Sequence, residues 1–211
     1  MVGLAPQHMT SKPIVVFGGT FDPPHVGHLI LAEYAREGLN AEHVLFVPAA
    51  DPPHKQGDTR SLVRHRLAML ELVLAENPRF VLSLVDVERP GPHYTVDMIK
   101  ILREQNPGAE FYFLLGADSL RDLPTWNRPR ELIDLCRLAV MRRPDAEADP
   151  EALEAALPGI SARVTVIDAP LLGISSSDIA ERVKRGLSVR YLVPDAALDY
   201  ILSNRLYREE T

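Results

Sequence analysis

The chain has 211 residues, 46% of them hydrophobic and 25% charged, enough for one domain with a full core. A formal charge of −6 argues against a nucleic-acid footprint, which is basic, and points to small-molecule ligands. One cysteine, Cys136, excludes an internal disulfide and fits a reducing cytoplasm. No apolar run approaches the ~18 residues that would span a bilayer, so no membrane partner is expected.

Residues 1–11 have turn-like composition without a period and read as a loose tail, with a single domain expected over 12–211. Ile14 to Phe17 are apolar without alternation, the pattern of a strand covered on both faces of a parallel sheet. Gly18 and Gly19 then allow a sharp turn and close approach of the backbone to a ligand. Thr20 to Pro24 form an extended loop. From about His25, the spacing of Val26, Leu29 and Ile30, with Glu33 and Arg36 opposite, predicts an amphipathic helix. His25 and His28 share a face of it, at an end that carries unpaired N–H groups and the positive end of the helix dipole. This geometry suits an anion, and above all a phosphate. The stretch is neither a Walker A loop nor G-x-G-x-x-G.

Val44 to Pro48 reads as a second strand, followed by the proline-rich loop 49–58. A helix is expected from Leu62 to Ala75, with Leu62, Leu67, Leu70 and Leu74 apolar and Arg64, Arg66 and Glu71 polar. A strand is expected over Phe80 to Val87, a turn over Glu88 to Pro92, and a helix over Tyr94 to Glu104 capped by Thr95. Phe111 to Gly116 is another buried strand. Asp118 to Trp126 is a loop with a short helix, and Pro129 to Cys136 a helix in which Cys136 is a buried residue rather than a nucleophile. A strand over Leu138 to Met141, a helix over Pro150 to Leu157 and a strand over Val164 to Ile167 follow. Helices over Ser176 to Lys184 and Asp195 to Ser203 close the chain. The alternation predicts an α/β fold: a Rossmann-like, doubly wound parallel sheet with helices on both faces and a small C-terminal helical segment over about 174–205. Ligands in such sheets bind beyond the carboxyl ends of the strands.

A second phosphate-like stretch is Gly173-Ile174-Ser175-Ser176-Ser177-Asp178-Ile179-Ala180-Glu181-Arg182. Serines opening a helix make an N-cap, and the same hydroxyls and free N–H groups can cradle phosphate oxygens. Taken alone, Trp126 is a core indole or a stacking platform. Asp118 is a helix cap or an acceptor for two hydroxyls, and Lys55 and Arg143 are solvated cations or phosphate contacts.

The Gly-Gly-Thr-Phe turn followed by His25-Val26-Gly27-His28 resembles the H-x-G-H signature of the nucleotidyltransferase superfamily of adenylyltransferases. Residues 174–180 resemble its I-S-S-T-x-I-R motif, with Ala180 where the arginine that meets the triphosphate is expected. Arg182, Lys184 and Arg185 are the nearby cations, Arg182 lying two positions on and thus about 200° round the helix. Pro52-Pro53-His54-Lys55, Glu88-Arg89-Pro90-Gly91-Pro92-His93-Tyr94-Thr95 and Gly116-Ala117-Asp118-Ser119-Leu120 with Trp126 resemble segments of bacterial nicotinate-nucleotide adenylyltransferases. His93 stands in place of a serine.

The resemblance covers about Pro13 to Leu202. It implies adenylyl transfer from ATP to nicotinate mononucleotide in the cytoplasm, with Mg²⁺ arriving on the ATP and no protein-bound metal. It implies catalytic roles for His25 and His28. Gly18, Gly19, Thr20, Phe21, Gly27, Asp118, Ile174, Ser175, Ser176, Ser177 and Arg182 would contact ATP. Lys55, Tyr94, Thr95, Trp126 and Arg143 would contact the mononucleotide. Alternatives are phosphopantetheine adenylyl transfer, a non-catalytic nucleotide binder, and a metalloprotein using His25, His28 and His54. A homo-oligomer is left open.

Overall fold

The structure is a computed structural model that describes residues 12–50, 61–142, 149–170 and 172–208. Among these, six strands form one all-parallel sheet: β1 (Ile14–Gly19), β2 (His43–Pro48), β3 (Phe80–Leu82), β4 (Phe111–Gly116), β5 (Arg137–Met141) and β6 (Val164–Ile167). Their spatial order is β3-β2-β1-β4-β5-β6, the Rossmann-like arrangement expected. β1 lies at the centre, with Val16 paired to Leu45 on one side and to Phe113 on the other. The direction of winding reverses between β1 and β4, which opens a crevice at their carboxyl ends.

The unbroken apolar runs are explained by burial on both faces. Ile14 and Val16 point into one core with Ile99, Leu102, Leu120 and Leu132, whereas Val15 points into the other with Ala32, Ala35, Phe46 and Leu70. The covering helices are α1 (Val26–Gly38), α2 (Val63–Leu74), α3 (Val85–Glu88), α4 (Thr95–Gln105), α5 (Ala117–Asp122) and α6 (Pro129–Leu135). Helices α7 (Ser176–Lys184) and α8 (Asp195–Ser203) pack on the outer side of α2. Met69 and Val73 meet Ile179, Val183, Ala197 and Ile201 in a third, helical cluster. None of these helices is long and apolar enough to cross a membrane.

Three expectations need correction. The strand expected over Phe80 to Val87 stops at Leu82, because β3 is an edge strand that pairs only with β2. Ser83 N–H closes the ladder on Phe46 O at 2.9 Å, and the chain turns into α3. The helix expected over Pro150 to Leu157 is reduced to one 3₁₀ turn at Glu151–Leu153. Glu154 accepts the N–H groups of Gly159 (2.7 Å) and Ser161 (2.9 Å) and folds the chain back at Pro158. Thr95 is the first residue of α4; the cap position belongs to Tyr94. Cys136 is buried as expected, and burial pushes its thiol up to about 12, far from a nucleophile's range.

Candidate active site

The turn after β1 is shaped by Phe21. Its backbone is left-handed (φ 51°) and its ring is 2% exposed, packed against Phe17, Phe46 and His28 with centroids 5.0–5.6 Å apart. A Cβ on Gly19 would lie 2.9 Å from that ring, so only glycine lets the loop fold over it. Gly18 is less restricted, its hypothetical Cβ meeting Phe113 at 3.5 Å. Arg66, only 1% exposed, reaches up from α2 and donates from Nη1 to Thr20 O (2.9 Å) and Ala49 O (2.8 Å). It thereby ties the β1 turn to the end of β2. Although polar, Arg66 joins Met69, Leu70 and Val73 in the buried stripe of α2. The Asp22 carboxylate accepts Ser61 N–H at 2.8 Å and the Tyr207 hydroxyl at 2.5 Å, so the C-terminal segment also anchors the turn.

α1 begins with the two histidines interlocked. His25, extended at the N-cap position and 5% exposed, donates its backbone N–H to His28 Nδ1 (3.2 Å), and His28 N–H donates to His25 O (2.9 Å). The rings stack at 3.6 Å and 21°. Since His28 Nδ1 accepts, its ring proton sits on Nε2, leaving that N–H as the donor for a ligand. Among the described residues His25 Nδ1 is buried without a hydrogen-bond partner. Burial lowers the pKa of His25 to about 4. Burial, and then repulsion from His25, lowers that of His28 to about 3, so both rings are neutral near pH 7. Gly27 is dictated by this packing: a Cβ there would lie 2.9 Å from His25 Nδ1.

At the start of α7 the serines divide their work. Ser175 is the N-cap, its Oγ accepting Asp178 N–H at 3.1 Å. Ser176 Oγ donates to Pro23 O at 2.9 Å and clamps α7 to the β1 turn across 153 residues of chain. Ile174 is partly buried against the helical cluster and lies beside Gly27. Ser177 lines a cleft of about 970 Å³ together with Thr20, Phe21, His28, Ser176 and Ala180. Arg182 does not reach that cleft. Its Nε and Nη2 donate to Ser188 O (3.2 and 2.9 Å), as its angular position on the helix requires.

The other candidates flank the carboxyl end of β4, next to β1, rather than lining this cleft. Asp118 is half-buried at the start of α5 and pairs with Arg121 at 3.4 Å. Trp126 is partly buried, edge-on to Phe113 with centroids 6.1 Å apart. Tyr94 is 40% exposed, and Thr95 follows it into α4. Arg89 builds this corner, binding Asp86 Oδ1 (2.8 Å), Pro92 O (3.1 Å) and Tyr94 O (3.1 Å). Lys55 and Arg143 lie outside the described residues.

Sequence reasoning missed Arg66, Tyr207 and Arg89 as supports.

Residues 16–182 match the cytidylyltransferase-like family. The chain is 49% identical over 193 residues to the "Probable nicotinate-nucleotide adenylyltransferase" of Thermomicrobium roseum, covering 92% of this chain and 90% of the relative. The chain belongs to the nicotinate-nucleotide adenylyltransferases. A relative of the same name from a Roseiflexus species is 43% identical over 201 residues, covering 95% of this chain and 100% of its own. The fold is shared with the nicotinic acid mononucleotide adenylyltransferase of Plasmodium falciparum, solved in complex with NaAD. The TM-score is 0.73 at 22% identity, over 93% of this chain and 97% of that one.

Proposed function

We propose that this protein transfers the adenylyl group of ATP to nicotinate mononucleotide, forming deamido-NAD and pyrophosphate in NAD biosynthesis. The supporting observation is the join between two helix starts. His28 Nε2–H at the head of α1 and Ser177 at the head of α7 line one cleft, and Ser176 fixes the two heads together. The positive dipole ends of α1 and α7 meet there, as a polyphosphate requires. Membership of a family whose relatives carry the adenylyltransferase name supports the choice of acceptor.

In this reading an oxygen of the mononucleotide phosphate attacks the α-phosphorus of ATP. A P–O bond forms there, and the α–β bridge breaks, its electron pair leaving with pyrophosphate. The attacking group is already ionised at neutral pH, so the protein has to position two repelling anions and cover developing charge. His25 and His28 act on the α- and β-phosphate oxygens. The backbone from Gly18 to Phe21 approaches closely, and Ser177 meets the β/γ end. Asp118 holds ribose hydroxyls. Trp126 stacks on the pyridine, and the Tyr94–Thr95 corner, with Lys55 and Arg143, receives the rest of the mononucleotide. Mg²⁺ bound with ATP would be held by the phosphates and water and would supply cover for their charge. Of the two carboxylates lining the cleft, Asp22 and Glu181, Asp22 already has both oxygens bonded.

The test is pyrophosphate release from ATP and Mg²⁺ with nicotinate mononucleotide, nicotinamide mononucleotide or phosphopantetheine as acceptor. Release dominated by nicotinate mononucleotide is expected. Preference for phosphopantetheine, or ATP binding with no release from any acceptor, would overturn the assignment.

A further inference from the structure

The cleft continues past the serines to a wall that the proposed reaction has not yet used. Along α7, Ala180 presents only a methyl group, and Lys184 follows it one turn on, on the same face. The opposite wall is the C-terminal segment, which contributes Arg205 and Arg208. This segment is held in place deliberately. Arg205 and Tyr207 both carry left-handed backbones (φ 53° and 62°), conformations that persist only where the surroundings impose them. Arg205 lies where α8 is closed by Leu206 N–H on Ile201 O at 3.0 Å, and the part-buried Tyr207 hydroxyl is bonded to Asp22, in the turn that leads into the two histidines.

The charge of the wall runs against that of the chain. Three cations (Lys184, Arg205 and Arg208) face two carboxylates (Asp22 and Glu181), a difference of +1 on a chain of formal charge −6. Asp22 is moreover engaged by Ser61 and Tyr207. A cleft that begins at phosphate-type donors and ends at cations drawn from two separate elements fits a ligand with charge along its whole length.

Resting on the adenylyl-transfer reading, we propose that Lys184 and Arg205 hold the distal phosphates of the nucleoside triphosphate, from the helix turn beyond Ala180 and from the C-terminal segment. The four-carbon stem of lysine spans the one turn that separates position 184 from position 180, and the ammonium acts as a point charge. Arg205 approaches from the other side, so that the pair grips the pyrophosphate that will leave. Arg182, spent on Ser188 O, takes no part.

The test compares ATP with AMP in the Lys184→Met, Arg205→Met and doubly substituted full-length proteins, by steady-state pyrophosphate release and by equilibrium binding in the presence of Mg²⁺. Each single change should raise KM and Kd for ATP roughly tenfold, as expected for losing one charge-assisted phosphate contact. Affinity for AMP and KM for nicotinate mononucleotide should stay put. Adding Ala180→Arg to Lys184→Met should restore ATP binding. An unchanged ATP affinity in the double variant would overturn the proposal, and so would an equal loss for ATP and AMP, the sign of a merely structural role. If the unsubstituted protein released no pyrophosphate, the adenylyl-transfer reading would fail, while the ATP-to-AMP comparison would still decide the fate of Lys184 and Arg205.

Discussion

Gly27→Ala separates the geometry of the histidine pair from the stability of the fold. The substitution adds one methyl group to the second residue of α1, where alanine is intrinsically the better helix former, by up to about 1 kcal/mol in a helix interior. The new Cβ would lie 2.9 Å from His25 Nδ1, whereas ordinary contact begins near 3.4 Å, so the ring has to retreat by about 0.5 Å. It cannot do so alone, since it is buried and stacked at 3.6 Å on His28. Both donors therefore move relative to the α-phosphate; a misplacement of about 1 Å can cost on the order of 10²-fold in rate, so about half that should cost on the order of tenfold, or about 1.4 kcal/mol of barrier. The melting temperature should shift by no more than about 4 °C, the equivalent of about 1 kcal/mol for a chain of this length. Thermal unfolding and steady-state kinetics on the same preparation measure the two quantities. A Gly27→Ala protein with wild-type kcat would show that the ring positions fixed by Gly27 do not matter to the reaction. A large loss of melting temperature would turn the glycine into a structural residue.

His28→Ala should lower kcat by on the order of 10²–10³ in a protein that remains folded, because one prearranged donor is lost; single-turnover kinetics with circular dichroism as control would show it. Arg66→Met should cost about 2–4 kcal/mol in urea unfolding and raise KM for ATP, since two part-buried carbonyls, Thr20 O and Ala49 O, lose a charged donor. The buried histidines also set a pH dependence. Their folded-state pKa values, about 4 and about 3, lie below the ordinary 6.5, so between pH 6.5 and about 4 the unfolded chain binds protons that the folded chain refuses. Stability should thus be full above pH 6.5 and fall as pH drops through that window, by about 1.4 kcal/mol per unit per histidine. Urea titrations at pH 7.5 and 5.0 would read it, and a His25→Gln/His28→Gln protein with the same pH slope would refute the assignment.

The parts of the molecule that could be read from the sequence are those whose cause is local. Ile14 to Phe17 and Phe111 to Leu115 had to be buried strands because no polar residue interrupts them, and the cap at Ser175 follows from a hydroxyl placed three residues before a free N–H. The histidine pair was legible for the same reason: a spacing of three sets His25 at the N-cap against His28 in the first turn, and the glycine between them leaves the room. Edge and turn effects were not legible. Nothing in Ser83 to Val87 announces that β3 has a neighbour on one side only, and nothing near Pro150 announces that Glu154 will gather the N–H groups of Gly159 and Ser161.

The supports of the site were the least legible, and their chain separations say why. Arg66 holds Thr20 from 46 residues away, Ser176 holds Pro23 from 153, and Tyr207 holds Asp22 from 185. Each of these side chains looks ordinary in its own segment: an arginine in a helix, a serine at a cap, a tyrosine near the end. Their meaning lies in the partner, which the fold alone supplies. A phosphate site of this kind needs donors fixed before the anions arrive, because reorganising them during the reaction would consume the stabilisation they provide. The motif residues carry that chemistry, while the distant trio keeps the β1 turn, α7 and the C-terminal segment from moving apart under the charge they are arranged to hold. Substitutions in the trio should therefore weaken ATP binding and stability together, whereas Gly27→Ala should reduce turnover alone.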